Sequence, residues 1–281
     1  MTTAALPDLE EQIEHARTSD SIPVVFIHGL WLLPSSWDRW AELFAGAGYA
    51  PVQAGWPDDP ATVEEARANP QVFAAKTVGQ VADHLAGVIG RLPRKPAIVG
   101  HSFGGLFAQM LAGRALAAVS VAIDPAPFRG VLPLPLSSVR SALPVLRDPR
   151  NRGRAVSLTY EQFRYGWGNA VSEEEARELH ESYHVAAPGA PLFQAAMANL
   201  NPWTEVKVET KDPARGPLLV VSGLEDHTIP RSVARAAYKK QQRNPGLTEF
   251  REIPGRGHAL TIDGGWREVA EAVLDFVKRF A

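Results

Sequence analysis

The chain has 281 residues, 45% hydrophobic and 21% charged, with a net charge of −2. That length suits one large domain or a core with an inserted lobe, and the charge balance gives no reason to expect nucleic acid or an acidic membrane surface as partner. The sequence has no cysteine, which excludes disulfides, thiolate chemistry and cysteine-ligated metals.

Met1 to Asp20 is a polar leader carrying Asp8, Glu10, Glu11 and Glu14, without the apolar core of a signal peptide. A short helix is expected over Leu6 to Ala16. No apolar stretch is long enough to span a membrane, and a cytoplasmic location is expected. Ile22 to Ile27 is a continuous apolar run of strand length ending at His28-Gly29, as suits a central strand of a parallel sheet covered on both faces. Ser35 and Ser36 can cap a helix that carries Trp37, Trp40, Phe44 and Ala47 on one face and ends at Gly46 and Gly48. Tyr49 to Gln53 reads as the next strand, leading into the loop Gly55 to Pro60.

A helix follows from Thr77 to Leu92, with Val78, Val81, Leu85, Val88 and Leu92 as its apolar stripe. Pro96 to Gly105 then reads strand, turn, helix. Ser102 stands at the turn with Gly100 and Gly104 two residues either side, because side chains there would crowd each other and the neighbouring strand. A helix to about Arg114 and a strand from Ala117 to Ile123 complete a βαβα alternation, the signature of a doubly wound sheet. Asp124 follows that strand.

The rhythm breaks at residue 128. Residues 128–205 hold no convincing parallel strand. They open with the proline-rich run Val131 to Leu136, with short helices expected over Ser137 to Leu143 and, behind a capping box of Ser172 and Glu175, over Glu173 to Tyr183. The segment reads as a mainly helical lid, inserted between a first core part (1–127) and a second (206–281). Strand character resumes at Pro217 to Gly223, followed by Asp226, a helix from Arg231 to Arg243, a strand from Leu247 to Ile253, then Gly257-His258. A helix from Trp266 to Phe280 closes the chain.

A serine hydroxyl is a weak nucleophile at neutral pH. It needs a base to take its proton, and that base needs an acid to fix its tautomer and stabilise its charged form. Ser102, Asp226 and His258 supply the three, each just after an expected strand. Asp124 is a rival for the acid, while Glu225 is one residue out of phase. Backbone N–H groups of Phe103 and of Leu30, beyond His28-Gly29, can hold the developing oxyanion. His101 is too close to the nucleophile to be its base and is expected to pack beside the site, and His28 to brace the oxyanion loop. His84, His180 and His184 are expected to be structural or exposed. Trp31, Trp56, Phe128, Phe163, Tyr165, Trp167 and Trp203 are candidate pocket walls, with Trp31 and Phe128 best placed, although each reads equally well as a core aromatic.

His28-Gly29, the Gly100-to-Gly105 turn, Gly223 to Pro230 and Gly257-His258 together resemble the α/β-hydrolase superfamily, in its cap-bearing serine-hydrolase branch of esterases and lactonases. The resemblance runs from about residue 22 to the end, apart from the variable insert. It implies the triad Ser102, Asp226 and His258 and oxyanion donors at Leu30 and Phe103. The family's usual first two strands have little room before Ile22, so the sheet is expected to be short at that edge. Ser102 separates the chain from relatives such as haloalkane dehalogenases and epoxide hydrolases, which place an aspartate there. The resemblance implies acyl transfer to water from a small hydrophobic ester or lactone with an acyl or aryl group, with no cofactor and no metal. Carbon–carbon bond hydrolysis of β-diketone-type substrates, transfer to another acceptor, and ligand binding without turnover are the alternatives.

Overall fold

The computed structural model describes residues 8–281. Its strands are β1 (Ile22–Ile27), β2 (Tyr49–Ala54), β3 (Ala97–His101), β4 (Val119–Ile123), β5 (Ala155–Val156), β6 (Ala187–Pro188), β7 (Leu218–Gly223) and β8 (Thr248–Ile253). Six of them form one sheet in the order β2-β1-β3-β4-β7-β8, with every neighbouring pair parallel. Because β3 and β4 are buried at every residue, they read in the sequence as mainly apolar runs, interrupted only by His101 and Ser120. Among the described residues no strand precedes Ile22.

The helices are α1 (Leu9–Thr18), α2 (Asp38–Gly46), α3 (Val63–Ala68), α4 (Val78–Gly90), α5 (Phe103–Gly113), α6 (Leu136–Leu146), α7 (Tyr160–Gly166), α8 (Glu173–Tyr183), α9 (Ala190–Met197), α10 (Arg231–Gln241) and α11 (Trp266–Val277). The leader helix is displaced from its expected span. It starts at Leu9 because Asp8 and Glu11 form a reciprocal cap, and Leu6 and Pro7 lie outside the described residues. Ser35 and Ser36 do not cap α2. They sit in a 3-10 turn over Pro34–Trp37, where the Ser36 hydroxyl donates to Leu33 O at 2.7 Å. The stripe on that helix holds: Trp37, Trp40 and Phe44 are buried against Phe26 of β1. Phe280 falls past the end of α11.

Everything the site needs leaves the same edge of the sheet. Parallel register pairs Ile27 with Gly100, His101 with Ile123, Ile123 with Val221 and Gly223 with Ile253. The loops carrying Leu30, Ser102, Asp124, Asp226 and His258 therefore all emerge at the carboxyl ends of adjacent strands. The strand order reverses between β1 and β3, and a doubly wound sheet opens a crevice at such a switch point. Helices α6 to α9, with the two-residue pair β5 and β6, are inserted between β4 and β7 and cover that crevice.

Candidate active site

Ser102 sits on a strained turn. Its φ of 56° and ψ of −118° lie outside the ordinary regions for a side-chain-bearing residue, at a cost on the order of 1–3 kcal/mol. The strain is held by packing and hydrogen bonds: Ser102 N donates to Ile123 O at 2.9 Å, and Ser102 O accepts from Ala126 N at 2.9 Å. The flanking glycines permit the turn. A Cβ on Gly100 would lie 2.0 Å from Gly104 O, and one on Gly104 would lie 2.0 Å from Ile27 O. Both contacts are with backbone and cannot be relieved by moving a side chain.

The elbow aims the Ser102 hydroxyl at His258, whose Nε2 lies 3.0 Å from Oγ. His258 Nδ1 lies 2.6 Å from Asp226 Oδ2, and both side chains are fully buried. The other Asp226 oxygen accepts from Thr228 N at 2.6 Å and Ile229 N at 2.8 Å, which fixes the carboxylate before it meets the imidazole. With Asp226 accepting at Nδ1, the imidazole carries its proton there and presents a lone pair to Ser102. Glu225 is exposed and points away from this chain of bonds.

Asp124 is beside the triad without standing in it. Its Oδ1 accepts from Gly223 N at 2.9 Å, while the buried Oδ2 has no donor facing it. Asp124, Asp226 and His258 offer side-chain atoms within 4.8 Å of one another. Burial, then the charge of Asp226 and a hydrogen bond to it, hold the Asp124 carboxyl well above its ordinary range. Two adjacent buried carboxyls favour one charge between them. Asp226 carries it because its own oxygens accept from two backbone N–H groups and the imidazole.

His101 is fully buried, its ring 4.7 Å from that of His258, and burial followed by the neighbouring His258 pushes it well below the ordinary histidine range. It packs as a neutral ring. His28 is the expected brace. Its Nε2 lies 2.8 Å from Asp59 Oδ2, which also accepts from Trp56 N, and its Nδ1 is 2.8 Å from Gly29 O. His184 is buried, accepts from Leu158 N through Nε2, and is lowered by burial to about 3.

A cavity of about 330 Å³ opens over Ser102. Leu30, Trp31, Phe103 and Phe128 line it together with Ser102, and α6 and α9 supply an aliphatic roof including Val139, Ala142, Leu192 and Ala195. Phe103 opens α5, where first-turn N–H groups have no acceptor within the helix. A Cβ on Gly29 would lie 2.7 Å from the Ser102 Cβ, so the loop leading to Leu30 runs hard against the nucleophile.

Five expected walls are elsewhere: Phe163 stacks on Trp167 within the insert and Tyr165 lies against His227, and the other three are tryptophans. Trp56 is buried in the core, stacked on His28 and edge-on to Phe107. Trp203 points to solvent and is 87% exposed. Trp167 does not line the cavity. Its ring meets the His258 ring edge-on at 4.5 Å, and its carbonyl accepts from Ala259 N at 3.3 Å. This backing of the base by the insert is absent from the sequence reading, since no local pattern pairs residue 167 with residue 258. The Ser172–Glu175 box is half formed: Ser172 accepts from Glu175 N, but the Glu175 carboxylate accepts from Gly264 N, beyond His258. Asn169 Nδ2 donates to Glu225 O at 2.6 Å, and Ser141 and Thr228 hydroxyls meet at 2.7 Å. The insert is thus bonded to both the acid loop and the base loop.

A parallel sheet that carries a serine elbow, an acid loop and a histidine loop on one edge has the architecture of a serine hydrolase of the α/β class. Among solved structures, a monoacylglycerol lipase of Paleococcus ferrophilus is similar at 19% identity and a TM-score of 0.63, over 92% of this chain and 95% of that one. A pyrethroid hydrolase of Sphingobium faniae is similar at 18% and 0.64, over 92% and 98%. A thermophilic esterase of Thermogutta terrifontis is similar at 18% and 0.64, over 94% and 92%. At these identities the likeness is one of fold. No curated protein sequence matches significantly. The sequence does match the model of the alpha/beta hydrolase family over residues 24–272, and the chain belongs to that family. Among the described residues no helix is long and apolar enough to cross a membrane.

Proposed function

We propose that the protein hydrolyses carboxylic esters or lactones with a hydrophobic acyl or aryl group, through an acyl-enzyme on Ser102. One observation carries this reading: the Ser102 hydroxyl, 3.0 Å from a buried imidazole that is itself 2.6 Å from a buried carboxylate, faces an aliphatic cavity. His258 Nε2 takes the Ser102 proton as Oγ attacks the substrate carbonyl. The tetrahedral oxygen is held by the N–H groups of Leu30 and Phe103. His258 returns the proton to the leaving alcohol, then takes one from the water that attacks the acyl-enzyme. Trp31 and Phe128 form the pocket walls, residues 128–205 act as the lid, and Trp167 supports His258 from behind. The cavity suits an apolar group beside the reacting carbonyl, in keeping with the similar structures, a monoacylglycerol lipase, a pyrethroid hydrolase and an esterase. A cysteine-free chain also suits a reducing, cytoplasmic setting.

A fluorophosphonate probe and a series of p-nitrophenyl esters test the reading. Wild type labels and hydrolyses; Ser102→Ala, folded by circular dichroism, does neither. Labelling of Ser102→Ala equal to wild type, or no turnover of any ester or lactone by a labelled wild type, overturns it.

A further inference from the structure

We propose that the outer face of the insert docks on an anionic lipid surface, with the mouth of the Ser102 cavity held against it. The docking itself stands on the surface described next; only its use, delivery of an apolar ester to the site, rests on the proposed activity.

Residues 132–136 alternate leucine and proline, and the three leucines are exposed while the two prolines are half-buried. Leu134 is 76% exposed and Leu136 88% exposed. In an extended segment alternate side chains share a side, so this run turns its prolines to the protein and its leucines to solvent. A second apolar segment is tied to the residues just ahead of this run: Gly130 N donates to Asn199 Oδ1 at 2.6 Å, Asn199 Nδ2 donates to Val131 O at 2.9 Å, and Arg129 Nη1 donates to Pro202 O at 3.0 Å. That segment exposes Met197, Leu200 and Trp203, the last two at 75% and 87%. Leu132, Leu134 and Asn199 also line the cavity over Ser102, so the apolar rim and the cavity mouth are continuous. Exposed apolar surface so concentrated marks a contact with something apolar.

Charge selects the occupant. Residues 129–154 hold six arginines and a single carboxylate, Asp148. Arg129, Arg140, Arg147, Arg150, Arg152 and Arg154 are all exposed. The net charge of −2 is a sum over the whole chain and hides this local excess. Two copies of the face would set arginines against arginines, which opposes self-association. An anionic bilayer surface offers the complement: negative headgroups for the guanidinium groups and an acyl boundary for leucine and tryptophan.

The test uses the full chain and vesicles of phosphatidylcholine with and without phosphatidylglycerol. Trp203 is the reporter, since the other six tryptophans are buried or half-buried. Its emission shifts to the blue and the protein floats with vesicles only when phosphatidylglycerol is present, and added salt reverses both. Leu136→Asp with Leu200→Asp lowers partitioning by roughly tenfold or more, with unchanged melting temperature and unchanged hydrolysis of a dissolved short-chain ester, because neither residue lines the cavity. Arg152→Glu with Arg154→Glu removes the preference for the anionic vesicles. Absence of binding to either vesicle overturns the proposal, as does binding indifferent to the leucine pair. A dimer in sedimentation that Leu136→Asp dissolves also overturns it, making the face a contact between copies. Vesicle binding by a protein that hydrolyses no ester leaves the docking standing and removes the proposed activity alone.

Discussion

Asparagine at 226 and at 124 separates the acid of the triad from its neighbour. The Asp226 carboxylate faces the imidazole across 2.6 Å with both side chains fully buried. As Ser102 attacks, that ring becomes an imidazolium. Two unit charges about 4 Å apart at an effective dielectric of about 20 attract by roughly 4 kcal/mol, or about three decades in rate. Asp226→Asn removes this attraction. It also inverts the tautomer: the side-chain oxygen is claimed by Thr228 N and Ile229 N, so the amide NH₂ faces Nδ1 and the imidazole proton moves to Nε2, towards Ser102. The combined loss in kcat is about 10³ to 10⁴. Asp124→Asn replaces a carboxyl already held in its neutral form by one of the same shape and leaves kcat within about tenfold. The assay is kcat/KM on a p-nitrophenyl ester, beside fluorophosphonate labelling rates and circular dichroism on the same samples. An Asp226→Asn enzyme within tenfold of wild type, or a larger loss from Asp124→Asn, refutes the assignment.

Asp124 also makes stability depend on pH. Its folded value is raised, so the native chain holds a proton that the unfolded chain releases above about pH 4. Native stability therefore falls as pH rises from there, by up to about 1.4 kcal/mol per pH unit. Asp124→Asn lacks this term and gains on wild type between pH 4 and 7 in urea unfolding; a constant gap between the two curves contradicts it. Gly104→Ala drives a Cβ to 2.0 Å from Ile27 O, and soluble folded protein is lost or destabilised by more than about 3 kcal/mol. A normal melting temperature for that variant would show the elbow to be looser than described. Ala195→Phe fills part of the 330 Å³ cavity. It raises KM for long acyl chains while sparing acetate esters, and a uniform change across chain lengths would place the acyl group elsewhere.

Most of the sheet was legible because five of its six strands, all but the edge strand β8, are buried on both faces: Ile22 to Ile27 and Val119 to Ile123 can hardly be read otherwise. The three triad residues were legible because each follows such a strand and carries side-chain chemistry rare in a turn. Helix α3 was not, since Val63–Ala68 is short and polar and buries only Ala66. The aromatics misled for a related reason. Trp56, Trp167 and Trp203 follow plausible loops, but the direction of a loop side chain is set by tertiary contacts: a histidine brace at 28, a histidine base at 258, and open solvent. Glu175 satisfied the capping pattern in sequence and bonds across to Gly264 in space. Local rules describe what a residue can do within one turn of helix. They do not register a better partner from a distant loop.

The bonds from Trp167 to Ala259, from Asn169 to Glu225 and from Glu175 to Gly264 bear on how this insert can be exchanged. A chimera that replaces residues 128–205 wholesale with the corresponding piece of a relative discards the backing of its own base and the clamp on its own acid loop. A graft confined to residues 130–158 changes the α6 half of the roof and the leucine–proline part of the rim, gives up the Ser141–Thr228 contact and leaves those three fastenings in place. The working boundary between module and chassis therefore falls inside the insert, ahead of α7.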